Sequence, residues 1–279
     1  MKAKRVLALV CAVAMVALLL GGCGPAKYVT EEKTKITSPE QFKGRRISVQ
    51  TATTASDSIE EMKKSGANIK VFPYEKVTQC FDDLRLGRVD AVYVDSVVAA
   101  YYIKDSKDFE RTWLSDVPEP MGICLAKGSK DLAAAVEAAI NMLNFNGQMN
   151  QIALKNFGDD FTANLRNVTK KPEIPKNFQT IKAGKLTIGC EVGYPPMEYT
   201  AEDGLTYVGF DIDVARALGD VLGLEVEFVN TAWEGIFAGL DKKQYDCIIS
   251  AVSITPERQE RYILTEPYVA NALCIVTNA

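Results

Sequence analysis

Two blocks of alternating strand-like and helix-like segments, joined by a lysine- and proline-rich stretch, constrain this chain more than any other feature of its sequence. In the first block Arg46 to Gln50 reads as a strand, Ala55 to Ser65 as a helix stopped by Gly66, and Asn68 to Phe72 as a strand. Glu75 to Leu86 follows as a helix with Val77, Phe81 and Leu84 on one face. Val89 to Val94 is then a buried strand, and Asp95 opens a helix that runs to Ile103. Met121 to Ala126 reads as a further strand, with helices over Leu132 to Phe145 and Gln148 to Phe157. Residues 162–184 carry Pro172 and Pro175 among lysines and show no hydrophobic period, so they form a linker. Beyond it, strands are expected over Leu186 to Cys190, Leu224 to Val229, Tyr245 to Ile249 and Ala272 to Thr277, with helices over Phe210 to Leu222 and Trp233 to Leu240. Helices of this length between strands make parallel βαβ units, in which ligands gather at the carboxyl ends of strands. Asp95 stands at such an end.

The two blocks echo each other. Phe81-x-x-Leu84 precedes Asp90 at the offsets by which Phe237-x-x-Leu240 precedes Asp246. Each time an amphipathic helix leads into a strand that begins with Asp. Two α/β lobes of similar architecture are therefore expected, with a cleft between them as the place for a ligand.

Composition removes several function classes. The 279 residues contain no histidine, which excludes Ser-His-Asp and Cys-His nucleophile systems and the HExxH type of metal site. With 32 basic against 36 acidic residues, no basic surface for nucleic acid is indicated. Met1 to Arg5 is a basic n-region and Val6 to Leu20 an apolar stretch too short to span a membrane comfortably. Leu20-Gly21-Gly22-Cys23 then resembles a bacterial lipoprotein cleavage box, implying lipidation of Cys23 and a stable anchor through several acyl chains. Loss of Lys2, Lys4 and Arg5 with the leader leaves 29 basic against 36 acidic residues, a net charge of −7. Residues 24–37 read as a tether. Cys80, Cys124, Cys190, Cys247 and Cys274 match no Cys-x-x-Cys metal pattern, and most lie in apolar runs as small hydrophobes. No metal or organic cofactor is expected.

One stretch carries charge chemistry. Ile248 to Arg261 reads as a buried strand end, a polar loop and a helix begun by Thr255 at N-cap and Pro256 at N1. The hydroxyls of Ser250 and Ser253, the N–H groups of the first helical turn and the Arg258 guanidinium can converge there on a small anion. A carboxylate suits Arg because a planar fork can hold both oxygens. A capped surface helix with Arg258 in a solvated pair is the alternative.

With these residues in view, the chain resembles the amino-acid-binding family of bacterial extracellular solute-binding proteins, the receptors of ABC importers. The resemblance runs from about Ser38 to the end. It rests on Gly193-Tyr194-Pro195-Pro196-Met197-Glu198-Tyr199, Val208-Gly209-Phe210-Asp211-Ile212-Asp213 and Ser253-Ile254-Thr255-Pro256-Glu257-Arg258. In the first block it rests on Phe42 to Gln50, Gly87-Arg88-Val89-Asp90-Ala91 and Asn156-Phe157-Gly158. It implies a type II periplasmic-binding-protein-like fold. The segment resembling 185–277 comes first in the family and that resembling 38–158 second, so the order here is swapped, as in a circular permutation. A fragment of a gene or of a tandem protein is the rival explanation. The expected organisation is a lobe over 38–127 resembling the family's second lobe, returning helices over 128–161, the linker, and a lobe over 185–279 resembling its first.

Carried over by position, the resemblance implies a free amino acid held between the lobes. Arg258 takes the α-carboxylate with Ser253, Thr53 and Thr54 add hydrogen bonds, and Asp95 takes the α-ammonium with Ser250. Tyr194 and Trp233 sandwich the side chain, and Glu191 matches an acidic pocket position that favours a polar or cationic one. Helix capping for Asp95, core packing for Trp233, a turn aromatic for Tyr194 and a solvated strand end for Glu191 are the plainer readings. Ala52 stands where the family usually has Gly, and Met197 where it has Phe. The function implied is a monomeric, lipid-anchored receptor without covalent chemistry that closes on its ligand and delivers it to a permease. Its rivals are a cyclohexadienyl dehydratase-like enzyme with Glu191 as general acid, and a ligand sensor.

Overall fold

The computed structural model describes residues 35–104, 106–163 and 165–279. The leader, Cys23 and the tether as far as Thr34 lie outside the described residues. After a 3-10 turn at Pro39–Phe42 come β1 (Arg46–Gln50), α1 (Thr54–Lys64), β2 (Lys70–Tyr74), α2 (Val77–Arg85), β3 (Ala91–Asp95), α3 (Ser96–Lys104) and β4 (Phe109–Leu114). Next are β5 (Cys124–Ala126), α4 (Lys130–Phe145), α5 (Gln148–Phe157), β6 (Lys185–Cys190), β7 (Tyr199–Thr200), β8 (Tyr207–Val208) and α6 (Phe210–Leu222). The chain continues through β9 (Glu225–Asn230), α7 (Trp233–Asp241), β10 (Cys247–Ile248), α8 (Pro256–Arg261), β11 (Tyr262–Leu264) and β12 (Leu273–Asn278).

Two five-stranded sheets result, ordered β2-β1-β3-β12-β4 and β11-β5-β10-β6-β9. β1 pairs in parallel with β2 and β3, and β6 in parallel with β9 and β10. The remaining ladders of both sheets are antiparallel. Burial follows from the residue pattern. α2 hides Val77, Cys80, Phe81 and Leu84, the i, i+3, i+4, i+7 stripe of a helix with one apolar face. Ile47 and Val49 of β1 pack with Ile59 of α1 and Ile275 of β12 on one face of the first sheet. Gly189 is required by a close approach, since a Cβ there would lie 2.5 Å from the ring of Tyr245.

The sequence echo has a structural basis. Asp90 accepts the backbone N–H of Arg46 at 2.9 Å, and Asp246 accepts that of Thr187 at 2.8 Å. In return Asp90 N–H donates to Arg46 O and Asp246 N–H to Thr187 O. Each aspartate thus clamps the start of a parallel pair, β1 with β3 and β6 with β10.

The expected lobe boundaries change at two strands. β12, placed by its sequence position in the 185–279 lobe, inserts between β3 and β4 of the first sheet. β5, placed in the 38–127 lobe, pairs with β10 and β11 of the second. The cause is a double crossover. Residues 115–123 and 265–272 run side by side between the sheets, joined by Glu119 N–H to Asn271 O at 2.8 Å and Met121 N–H to Val269 O at 3.1 Å. The strand after each crossing completes the other sheet. The segment 162–184 contains no helix or strand among its described residues, yet it is anchored, because Arg166 donates to Pro267 O at 2.7 Å and to Asn141 at 2.8 Å. The five cysteines among the described residues are buried and unpaired.

Candidate ligand-binding cleft

The parallel strands of both sheets end at one cleft. Gln50 ends β1, Asp95 ends β3, Glu191 follows β6, Trp233 follows β9, and Ser250 and Ser253 follow β10. The cleft is lined by Arg258, Asp95, Ser253, Ser250, Thr53, Thr54, Tyr194, Trp233 and Glu191, the nine residues named from sequence, together with Gln50, Glu198 and Ala251. Its empty volume, counting all space not filled by atoms, is about 320 Å³.

Arg258 is held by α8. Thr255 caps that helix by accepting the N–H of Arg258 at 3.2 Å, with Pro256 at its first position. The capping bond uses one of the N–H groups expected to face an anion, and α8 is only six residues long, so the guanidinium is the main group for anion chemistry here. One guanidinium nitrogen donates to Ser253 O at 2.9 Å, and the group lies 5.6 Å from the Trp233 ring centre and 5.2 Å from that of Phe237. Burial lowers its pKa, opposed by the charges of Glu119 and Asp95 among others. Among the described residues no carboxylate lies within 4.0 Å of it.

Asp95 faces it from the other sheet. Its oxygens accept from Tyr194 Oη at 2.5 Å and Asn271 Nδ2 at 2.6 Å. Helix capping is not its role, because its carboxylate accepts from these two side chains and not from a backbone N–H of the second or third residue of α3. Burial, then the charge of Glu119, pushes its pKa up to about 6, against the hydrogen bonds from Tyr194 and Asn271 and the charge of Arg258.

Several expected ligand contacts are already engaged within the protein. Thr53 donates to Gln50 O at 2.8 Å and accepts from Ser56 N–H in the capping box of α1. Its hydroxyl therefore has no proton left for a ligand. Ser250 donates to Glu198 at 2.6 Å and accepts from Glu191 N–H. Thr54 and Ser253 each donate to Glu119 at 2.6 Å. Tyr194 and Trp233 line the cleft, but Tyr194 is tied to Asp95, and the Trp233 indole N–H donates to Ala52 O at 2.8 Å. Ala52 itself has φ 57, the left-handed backbone that a glycine adopts without cost, so its residue type departs from the family while the loop conformation does not require a different path. Glu191 is not solvated. It accepts from Gln50 at 2.7 Å and lies 3.3 Å from Lys76 Nζ, while burial raises its pKa against both partners.

Glu198, Gln50 and Glu119 were not singled out from sequence. Glu198 is fully buried, and its Oε2 has no hydrogen-bond partner. Burial and the charge of Asp211 push its pKa well up, and Asp211 itself accepts from Ala251 N–H and Tyr268 Oη. Glu198 lay within a quoted motif. Gln50 likewise closed such a motif, whereas Glu119 had no comparable signal, since what matters there is partners distant in sequence.

A deep cleft between two α/β sheets, with opposite charges on its two walls, defines a binding-protein architecture. Residues 186–279 match the bacterial extracellular solute-binding proteins, family 3. The matching stretch is 37% identical over 98 residues to a probable amino-acid ABC transporter-binding protein of Haemophilus influenzae, covering 35% of this chain and 38% of the relative. It is 36% identical over 90 residues to an L-cystine-binding protein of Escherichia coli, covering 32% and 34%. An arginine-binding ABC transporter protein of the same organism is 35% identical over 99 residues, covering 36% and 40%. The chain thus spans well under half the length of these relatives.

Proposed function

We propose that this protein is an extracytoplasmic receptor that binds a free amino acid between its lobes and passes it to the permease of an ABC importer. The observation that carries the reading is the Arg258–Asp95 arrangement. Two opposite charges, one from each wall, line one cleft, and neither has an oppositely charged partner within 4.0 Å among the described residues. A zwitterion would complete both, its carboxylate at Arg258 and its ammonium at Asp95. The names of the relatives, which include cystine- and arginine-binding proteins, support the ligand class. A polar or cationic side chain is favoured, because the Glu191 carboxylate lines the cleft. Lys76 offsets part of that charge at Glu191. The swapped segment order is read as a circular permutation of a monomer tethered through lipidated Cys23.

A thermal-shift screen against the free amino acids tests this reading. A ligand at 100 times its Kd stabilises the folded state by about 2.7 kcal/mol, a rise of roughly 5–10 °C for a fold of this size. The rise should vanish in Arg258→Ala. A cooperatively melting protein that responds to no amino acid would sink the assignment. Similarity at 30% identity over 97 residues to a cyclohexadienyl dehydratase of Pseudomonas aeruginosa, together with the raised pKa of buried Glu191, sustains an enzymatic second reading. Recovery of the ligand unchanged after prolonged incubation would discard it.

A further inference from the structure

Beside the cleft, in an adjoining cavity that shares Thr54 and Arg258 with it, lies a carboxylate that no strand end supplies. Glu119 belongs to the first crossover, where its N–H donates to Asn271 O of the second at 2.8 Å. Its Oε1 accepts from Thr54 Oγ1 at 2.6 Å, on the wall built by the first sheet. The same oxygen accepts from Ser253 Oγ at 2.6 Å, on the wall built by the second. One atom anchored at the hinge therefore ties both walls together. Other contacts also cross the cleft, among them Gln50 to Glu191 and Trp233 to Ala52. Glu191 receives Gln50 and Lys76, both from the first wall, whereas Glu119 makes a charge-assisted bond to each wall from a single oxygen, and such bonds are roughly twice as strong as neutral ones.

The partners are informative. A hydroxyl has a single proton to donate. While Thr54 and Ser253 both point at Glu119, they can only accept from a ligand. Yet these two hydroxyls, with Arg258, are the groups that a ligand carboxylate would use. Glu119 also supplies the largest attraction on the Arg258 guanidinium. We propose that Glu119 is an internal latch, which closes the cleft by standing in for a ligand carboxylate and yields the Thr54–Ser253 pair when one arrives. The identity of the displacing group rests on the amino-acid reading; the latch itself rests on the two hydrogen bonds.

Trp233 reports on the latch, because its indole N–H bridges to Ala52 across the cleft. With the second tryptophan removed by Trp113→Phe, acrylamide quenching of Trp233 is measured in protein purified without ligand. In Glu119→Ala the quenching constant should rise about twofold or more as the open population grows, with a red-shifted emission. Glu119→Gln, which keeps the shape and loses the charge, should rise less. If Glu119→Ala does not melt cooperatively, the pair Thr54→Val with Ser253→Ala removes the same donors and carries the same expectation. A folded variant of either kind with unchanged quenching and emission overturns the latch. No amino acid is added, so that outcome leaves the amino-acid reading standing.

Discussion

Asp95 is a carboxylate that the fold holds at a cost. An unfolded aspartate titrates near 3.9, whereas Asp95 is pushed up to about 6. Between roughly pH 4 and 6 the native state binds more protons than the unfolded one, so this group's contribution to stability is greatest below that window and is lost as pH rises through it. At pH 7.5 the ionised Asp95 therefore lowers stability, and Asp95→Asn should raise it by about 1–2 kcal/mol, read as a higher Tm without ligand. The amide can be satisfied, since its oxygen can accept from Asn271 and its N–H groups can donate to Tyr194 Oη. The same variant should lose the response to an amino acid. In the wild type that response should fade below about pH 6 as Asp95 takes up its proton. A Tm lower than wild type for Asp95→Asn at pH 7.5 would refute the account of strain. Arg258 and Asp95 were legible in sequence from charge and strand-end position. Glu119 was not, because nothing in Asp116 to Pro120 signals that two hydroxyls from distant segments converge there.

At the scale of elements, α8 shows how much a short pattern can specify. Thr255-Pro256 set the start of the helix, and the Thr255 hydroxyl does accept the Arg258 N–H. Thr255→Ala should cost about 1 kcal/mol, as for other lost caps, and should weaken the ligand response as Arg258 loses its fixed backbone. Urea unfolding at unchanged m-value is the measurement, and a change within error would show that the cap is redundant. The long helices were equally legible from their apolar stripes. β4 and β11 were not anticipated. β4 alternates poorly, and β11 has three residues, too few for a period to register. Both are strands because a neighbour, β12 or β5, offers backbone partners.

For the molecule as a whole, the exchange of β5 and β12 makes each sheet depend on both blocks. β12 lies between β3 and β4, so without it β4 loses its place in the first sheet. Likewise β5 lies between β11 and β10 in the second. Cutting the chain in the 162–184 segment should therefore give fragments that do not melt cooperatively alone and regain a cooperative transition when combined. Independent cooperative melting of either fragment, followed by circular dichroism, would contradict this.

The sequence by itself determined the α/β alternation, the helix boundaries marked by caps and glycines, the place of Asp95 at a strand end and that of Arg258 in the first turn of α8. These are local: each is a residue type at a spacing, and the physics of a helix turn or a parallel strand acts within a few residues. The tertiary structure alone decided which sheet receives β5 and β12, that Ser250 serves the protein's own hydrogen bonds, and that Glu119 meets Thr54 and Ser253. Those outcomes depend on contacts between residues far apart in the chain, at Glu119 as many as 134 positions. Such contacts leave no periodic trace, because a hydroxyl or a carboxylate has the same identity whether its partner is water, a ligand or another wall of the cleft.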